Sequence, residues 1–356
     1  MTAGPERTTP ITRSGFDRLS LYGEHVAMCS TDLSDNTNLW GTPPAAERVL
    51  RSISSSDVRR YPSAYTSDLK AALAAYVGVE PAMIVTGCGS DNILDCAIRA
   101  FGNPGGSLAC CNPTFTMIPV FAQLNGLNTK LCRFDSKGDI PVDELLSSEA
   151  DIIYICSPNN PTGASASLDR IETIATSFRG LVIIDQAYAE YSSTSLTPLV
   201  TRHPNLLITR TMSKVFGMAG LRIGYGIGNP AVVREIEKSR GPYMVGATAQ
   251  AAAMAALAEN LPWISNVVSE TLANRARLVS ELETLGYEPL SSDANFVLVP
   301  VTDESHIVRK LLDNGVGVRS FANLAGIGGA IRVTIGPWEM MQQFLDTLGR
   351  SSPSSP

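Results

Sequence analysis

Ile152-Ile-Tyr-Ile-Cys-Ser-Pro-Asn-Asn-Pro-Thr-Gly163 decides the fold: five apolar residues run straight into a loop rich in proline and asparagine. A short run of β-branched and aromatic residues bounded by turn formers reads as a buried strand. Comparable runs flank it at residues 83–85, 107–111, 128–134, 181–184, 206–208 and 221–225. Helical patterns separate them. One begins near Ser67, read as its cap, with Leu69, Leu73 and Tyr76 on one face; another follows Gly89 with Ile93, Leu94, Ala97, Ile98 and Phe101; a third spans 116–123. This alternation indicates an α/β fold, its large domain a mostly parallel sheet covered by helices on both faces. Functional residues are then expected where strands end.

Beyond Gly241-Pro242 the pattern changes. Helices are expected at 248–257, 264–285, 304–314 and 338–348, and strands at 295–300, 316–319 and 330–336. These make a smaller α+β domain. The expected division is 1–44 as an N-terminal segment joining the small domain, 45–242 as the large domain, 243–350 as the small C-terminal domain and 351–356 as a disordered tail.

Composition narrows the function. The 356 residues are 44% apolar and 17% charged, as in a soluble globular protein, and the net charge of −6 opposes nucleic-acid binding. No apolar stretch is long enough to span a bilayer. Seven cysteines form no CxxC pair, which points to reduced thiols and a cytoplasmic location, and three scattered histidines argue against a metal site.

The chemistry is carried by strand ends. In the stretch 209–228 a lysine, Lys214, follows Ser213 and precedes a glycine-punctuated apolar run read as a strand. A lysine attacking a carbonyl needs a lowered pKa, which partial burial and the charges of Arg210 and Arg222 would supply; a solvated lysine at a helix start is the alternative for Ser-Lys alone. Thr86-Gly-Cys-Gly-Ser-Asp91 leads from a strand through a glycine turn into a helix, where free N–H groups can cradle a phosphate. Asp185 closes an apolar strand in Asp185-Gln-Ala-Tyr188 and needs a cationic or hydrogen-bonding partner. Arg222 lies eight residues past Lys214.

Taken in order, Ser157-Pro-Asn-Asn-Pro-Thr-Gly163, Asp185-x-x-Tyr188, Ser213-Lys214 and Arg222 resemble the aspartate-aminotransferase-like, fold type I enzymes that use pyridoxal 5′-phosphate, and among them the histidinol-phosphate aminotransferase family. The resemblance runs from Tyr22 to about Gly336. It implies an aminotransferase in amino-acid biosynthesis, moving an amino group from a small-molecule donor of the amino-acid or amino-alcohol-phosphate type to a 2-oxo acid acceptor through a Lys214 aldimine. Asp185 would face the pyridine nitrogen, Asn160 and Tyr188 would bond the 3′-oxygen, and Phe115 would stack on the ring. Ser90, Asp91, Ser213 and Arg222 would hold the cofactor phosphate. Tyr22, Asn38 and Arg332 would meet the substrate. Tyr61 would reach the neighbouring subunit's site, making a homodimer the functional unit.

The chain departs from the family pattern in three places. Gln186 stands where the family has glutamate, and Asn36-Thr-Asn-Leu39 replaces Asn-Glu-Asn-Pro. A further arginine past the Arg332 motif is absent from Pro337-Trp-Glu-Met-Met-Gln-Gln343. Two other readings use much the same motifs: a lyase of the threonine-phosphate decarboxylase type, and a non-catalytic, regulatory protein that binds pyridoxal phosphate.

Overall fold

The apolar runs of the first 228 residues assemble into one seven-stranded sheet in the computed structural model, which describes Arg13, Phe16, Leu19 and residues 29–349. Expectations for Tyr22 and for the tail at 351–356 fall outside the described residues. In chain order the elements are β1 (Thr31–Asp32), α1 (Pro44–Arg51), α2 (Ser55–Val58), α3 (Ser67–Val77), β2 (Ile84–Cys88), α4 (Gly89–Phe101), β3 (Ser107–Asn112), α5 (Met117–Leu124), β4 (Asn128–Arg133) and α6 (Val142–Leu146). They continue with β5 (Ile152–Cys156), α7 (Leu168–Ser177), β6 (Leu181–Asp185), α8 (Leu199–Arg202), β7 (Leu206–Thr211), β8 (Ile223–Gly228), α9 (Pro230–Ser239), α10 (Ala247–Glu259) and α11 (Leu261–Thr284). The chain closes through β9 (Phe296–Pro300), α12 (Glu304–Asp313), β10 (Val316–Gly317), β11 (Arg319–Leu324), β12 (Gly328–Thr334) and α13 (Trp338–Gly349).

The large sheet runs β2-β8-β7-β6-β5-β3-β4. Neighbours from β7 to β4 are parallel, and β8 is antiparallel to both β7 and β2. That reversal has a consequence for chemistry. The loop from β7 to β8, which carries Lys214 and Arg222, must turn over at the same edge where β5 and β6 end. Both faces of the sheet are covered, so the central strands are buried along their whole length and largely apolar, with Asp185 closing β6 and Thr209, Arg210 and Thr211 closing β7. Each fully buried Ile, Leu or Val contributes roughly 1.5–3 kcal/mol, so these strands form a stiff base for the residues at their ends.

A second, three-stranded antiparallel sheet has the order β11-β12-β9, and β1 pairs in parallel with β10, fastening the N-terminal segment to the small unit. Several details differ from the sequence reading: the strand expected at 316–319 breaks at Val318 into β10 and β11, and the one expected at 221–225 begins only at Ile223. Thr66, with φ 52, precedes α3 and Ser67 is its first helical residue; the Thr66 hydroxyl makes no cap and is engaged instead with that of Thr86 at 2.6 Å. Helix α10, expected in the C-terminal unit, packs on α1 and α3, and its Ala249, Ala252, Ala253 and Ala256 belong to the core on one face of the large sheet. The change of core falls inside α11: Ile264 and Val267 join the large core, Leu278 and Leu282 the small one.

Candidate active site

The C-terminal ends of β5, β6 and β7, the start of α4 and the strands β11 and β12 enclose a cleft of about 190 Å³. At its base lies Asp185, the last residue of β6 and only 3% exposed. Its Oδ2 accepts a hydrogen bond from the Tyr154 hydroxyl at 2.8 Å. Its Oδ1 accepts from the Thr209 hydroxyl and the Ala187 N–H, both at 3.2 Å. Burial nonetheless pushes the carboxyl up to about 6, with those donors opposing it. A buried carboxylate with three donors and no ion pair among the described residues is prepared for a cation from outside the chain.

Lys214 sits in the turn between β7 and β8, half-buried, its Nζ donating to the Asp35 carbonyl at 3.1 Å and lying 5.6 Å from the centre of the Tyr188 ring. Removal from water, then the Arg332 guanidinium, pulls its pKa down to about 8, with Arg222 adding to the effect and Asp35 and Asp91 resisting it. The expected contribution of Arg210 does not appear among these causes. Arg210 is buried below the sheet edge, where Nη2 donates to Gln186 Oε1 at 2.9 Å and Thr197 Oγ1 at 3.0 Å.

Around this pair stand the other lining residues. The Tyr188 hydroxyl accepts from Asn36 Nδ2 at 3.0 Å. Asn160 Oδ1 accepts from Arg332 Nη1 at 2.5 Å, which leaves the amide nitrogen as its donor side. Phe115, in the loop before α5, is partly buried on the cleft wall. Ser90 and Asp91 open α4, and Ser213 and Arg222 face them from the β7–β8 loop. Arg222 takes φ 53, a left-handed conformation rare for a residue with a β-carbon, and its Nη2 donates to Asp91 Oδ2 at 3.2 Å. This corner is closed tightly. A β-carbon at Gly224 would run into the Ser90 nitrogen and the Gly89 backbone, and one at Gly89, itself at φ +76, would meet the Arg222 guanidinium.

Arg332 is 7% exposed on β12 and bonds Asn160 and, through Nη2, the Ser34 carbonyl at 2.6 Å. Its register partner on β11 is Arg319, which lines the same cleft. The structure therefore brings together Ser90, Asp91, Phe115, Asn160, Asp185, Tyr188, Ser213, Lys214, Arg222 and Arg332. It does not bring Asn38 to the cleft wall: that side chain donates to the Val215 carbonyl at 2.6 Å and accepts from the Trp40 N–H at 2.8 Å. Asn36, two residues earlier and turned inward at φ 54, lines it instead. Tyr61 is away from the cleft and 84% exposed, its ring stacked on Tyr243 at 4.8 Å. Sequence reasoning did not single out Arg319, Thr211 or Tyr154. Register sets Arg319 opposite Arg332 and Tyr154 beside Asp185, beneath the cleft, while Thr211 ends β7 two residues before Ser213.

The donor set fits pyridoxal phosphate. One amine of lowered pKa, one buried carboxylate with no cation among the described residues, and a corner of hydroxyls, helix-start N–H groups and a guanidinium converge on one cleft. Among the described residues no cluster of side chains could hold a metal ion, and no helix is long and apolar enough to cross a membrane.

Comparison with known proteins agrees with that geometry. The family model described as aminotransferase class I and II matches residues 25–348. A histidinol-phosphate aminotransferase of Corynebacterium glutamicum is 35% identical, over 95% of this chain and 97% of its own. The crystal structure of histidinol-phosphate aminotransferase from Sinorhizobium meliloti in complex with pyridoxal-5′-phosphate superposes with a TM-score of 0.86 at 25% identity, covering 96% of this chain and 98% of that one. An L-threonine-O-3-phosphate decarboxylase from Porphyromonas gingivalis has a TM-score of 0.79 over 90% of this chain and 98% of its own; at 20% identity that likeness shows a shared fold alone.

Proposed function

The chain belongs to the class I and II aminotransferases and is a pyridoxal-phosphate-dependent enzyme, and from that premise we propose that its amino donor is a phosphorylated amino alcohol of the histidinol-phosphate type and its acceptor a 2-oxo acid. The observation that carries this reading is the pairing of Arg319 with Arg332 across β11 and β12, with both residues on the cleft. Two adjacent guanidiniums suit a dianion such as a phosphate ester, and after the exchange the same pair suits the carboxylate of the acceptor. The lyase and the non-catalytic readings have no comparable support, since the curated relatives are aminotransferases.

When bound, pyridoxal phosphate supplies the aldehyde that receives the amino group and the ring that takes up the electron pair of the substrate Cα–H bond. The chain's own residues do the rest. At a pKa of about 8, roughly a quarter of the Lys214 amines are neutral at pH 7.5, against about a thousandth for an ordinary lysine. Lys214 Nζ can thus anchor the aldehyde and later carry the proton from the substrate Cα. Asp185 would hold a proton at the ring nitrogen. Tyr188 and Asn160 would bind the ring oxygen, Phe115 would pack against the ring, and Ser90, Asp91 through its N–H, Ser213 and Arg222 would bind the phosphate. Arg332 and Arg319 orient the donor.

Homodimer formation and a cytoplasmic location go with this reading. The stacked, exposed pair Tyr61 and Tyr243, with Val58 and Tyr65 also exposed, suits a second copy, with Tyr61 as the residue reaching across, and all seven cysteines are free.

The test is a spectral screen of the purified enzyme with donors that differ only in carrying or lacking a phosphate, following conversion of the cofactor from aldehyde to amine form. Phosphorylated donors should convert at least tenfold faster, and Arg319→Gln should remove most of that preference. Lys214→Ala should abolish conversion and the borohydride-reducible link. Equal rates with both donor classes would sink the phosphate reading and leave the aminotransferase intact.

A further inference from the structure

Tyr154 stands at the centre of β5, fully buried, with its hydroxyl 2.8 Å from Asp185 Oδ2. The register of β5 on β6 makes this contact: Tyr154 lies opposite Ile183 and Cys156 opposite Asp185, so the tyrosine ring reaches forward beneath the carboxylate. A phenylalanine would fill the same space without a polar group to satisfy. Burial and the neighbouring carboxylate raise the phenol's pKa far above its usual range, so the hydroxyl keeps its proton and acts on Asp185 as a donor.

We infer that Tyr154 is a positioning residue whose hydroxyl holds Asp185 ionised and aimed into the cleft, so that the carboxylate keeps a proton on the cofactor's ring nitrogen. The inference rests on the role given to Asp185 above. Oδ1 is fixed by the Thr209 hydroxyl and the Ala187 N–H, and Tyr154 fixes Oδ2 from the opposite side, so the carboxylate cannot rotate without breaking at least one bond. The other titratable groups facing Asp185 are Cys156 on β5, Asp91 at the start of α4 and Tyr188 after β6. None of them donates to it, and Asp91 pushes its pKa up. Among the influences that keep Asp185 ionised, the Tyr154 hydrogen bond is the largest.

A cycle of Tyr154→Phe, Asp185→Asn and the double variant tests this, read in the apo-protein by carbon NMR of labelled aspartate and by the dissociation constant for pyridoxal phosphate. Tyr154→Phe should raise the Asp185 titration midpoint by about one pH unit and weaken cofactor binding at pH 6 by about fivefold, the ratio of ionised fractions for midpoints of about 6 and about 7. In the Asp185→Asn background it should change binding less than about twofold, because its path runs through that carboxylate. An unmoved midpoint, or an equal loss in both backgrounds, would show a packing role and overturn the inference. An isotope shift at the Asp185 carboxyl carbon on exchanging the phenolic proton for deuterium reads the same bond in the unaltered protein, and its absence would equally overturn it. If Asp185→Asn binds the cofactor as tightly as the parent, the Asp185 role itself falls; if it binds weakly while Tyr154→Phe does not, only the inference about Tyr154 falls.

Discussion

Arg332 and Asn160 are joined by a 2.5 Å hydrogen bond across 172 residues of chain, from a strand of the small sheet to the loop that follows β5 of the large one. The arginine read as the substrate's anchor thus also orients an asparagine read as a cofactor ligand. Arg332→Ala should therefore weaken both functions, lowering kcat/KM for the donor by about 10²–10³-fold, the range for removing one partner of a buried charged hydrogen bond. Arg332→Lys keeps the charge without the two-pronged geometry and should fall between. Steady-state kinetics with a cofactor titration checks both; loss of substrate affinity with unchanged cofactor affinity would separate the two roles.

Lys214 carries a stability cost with a definite pH window. Its pKa is about 8 in the fold against 10.5 in an ordinary chain, so below pH 8 both states are protonated and the full cost of the half-buried ammonium is present. Between pH 8 and about 10.5 the unfolded chain retains a proton the fold has shed, and stability rises with pH. Apo Lys214→Met should be more stable than the parent by about 2 kcal/mol at pH 7, and the gap should close by about pH 10.5. Denaturant melts of both apo-proteins across that range read it directly.

Asp185 shows the opposite window. Its pKa rises from 3.8 to about 6 on folding, so stability falls as pH climbs between those values and the cost is complete above pH 6. Asp185→Asn apo-protein should be more stable by about 3 kcal/mol at pH 7.5, with no difference below pH 4. Its turnover should drop by about a thousandfold or more as the charge opposite the ring nitrogen is lost. Thermal melts that show the variant less stable at pH 7.5 would contradict this account.

Gly224, on β8, packs directly against the backbone that starts α4. Gly224→Ala would drive a methyl group into the backbone at Gly89 and Ser90, costing about 1–3 kcal/mol and displacing the start of α4. Cofactor affinity should fall by at least tenfold while KM for the donor in fully loaded enzyme changes little. Equilibrium dialysis of pyridoxal phosphate against the variant measures the first quantity.

Much of the fold and of the cleft lining was legible because these residues sit at strand ends. Ile152–Cys156 forms the very strand its five apolar residues suggest, and Asp185 closes β6 as its position after Leu181-Val-Ile-Ile implies. What stayed hidden depends on register or on irregular backbone. Arg319 gains its place from pairing opposite Arg332, and a break at Val318 splits the strand expected there. Tyr154 reads in sequence as one more apolar strand residue; its hydroxyl matters only because β6 ends beside it. Asn36 displaces Asn38 from the cleft because of a single left-handed residue, which no periodicity announces. Arg210 is close to Lys214 in sequence but points into the pocket of Gln186 and Thr197, while burial and then Arg332, distant in sequence, lower the lysine's pKa.

The N-terminal segment is pinned at two points: Thr31 and Asp32 pair with β10 in the small unit, and Asn38 holds the carbonyl of Val215, the residue next to Lys214. Five residues, 33–37, bridge those pins, and within them Ser34 and Asn36 are tied to Arg332 and Thr334 on β12. The segment therefore behaves as a ruler. Adding or deleting one residue there would shift every tie by more than 3 Å, so this stretch can drift in composition far more readily than in length.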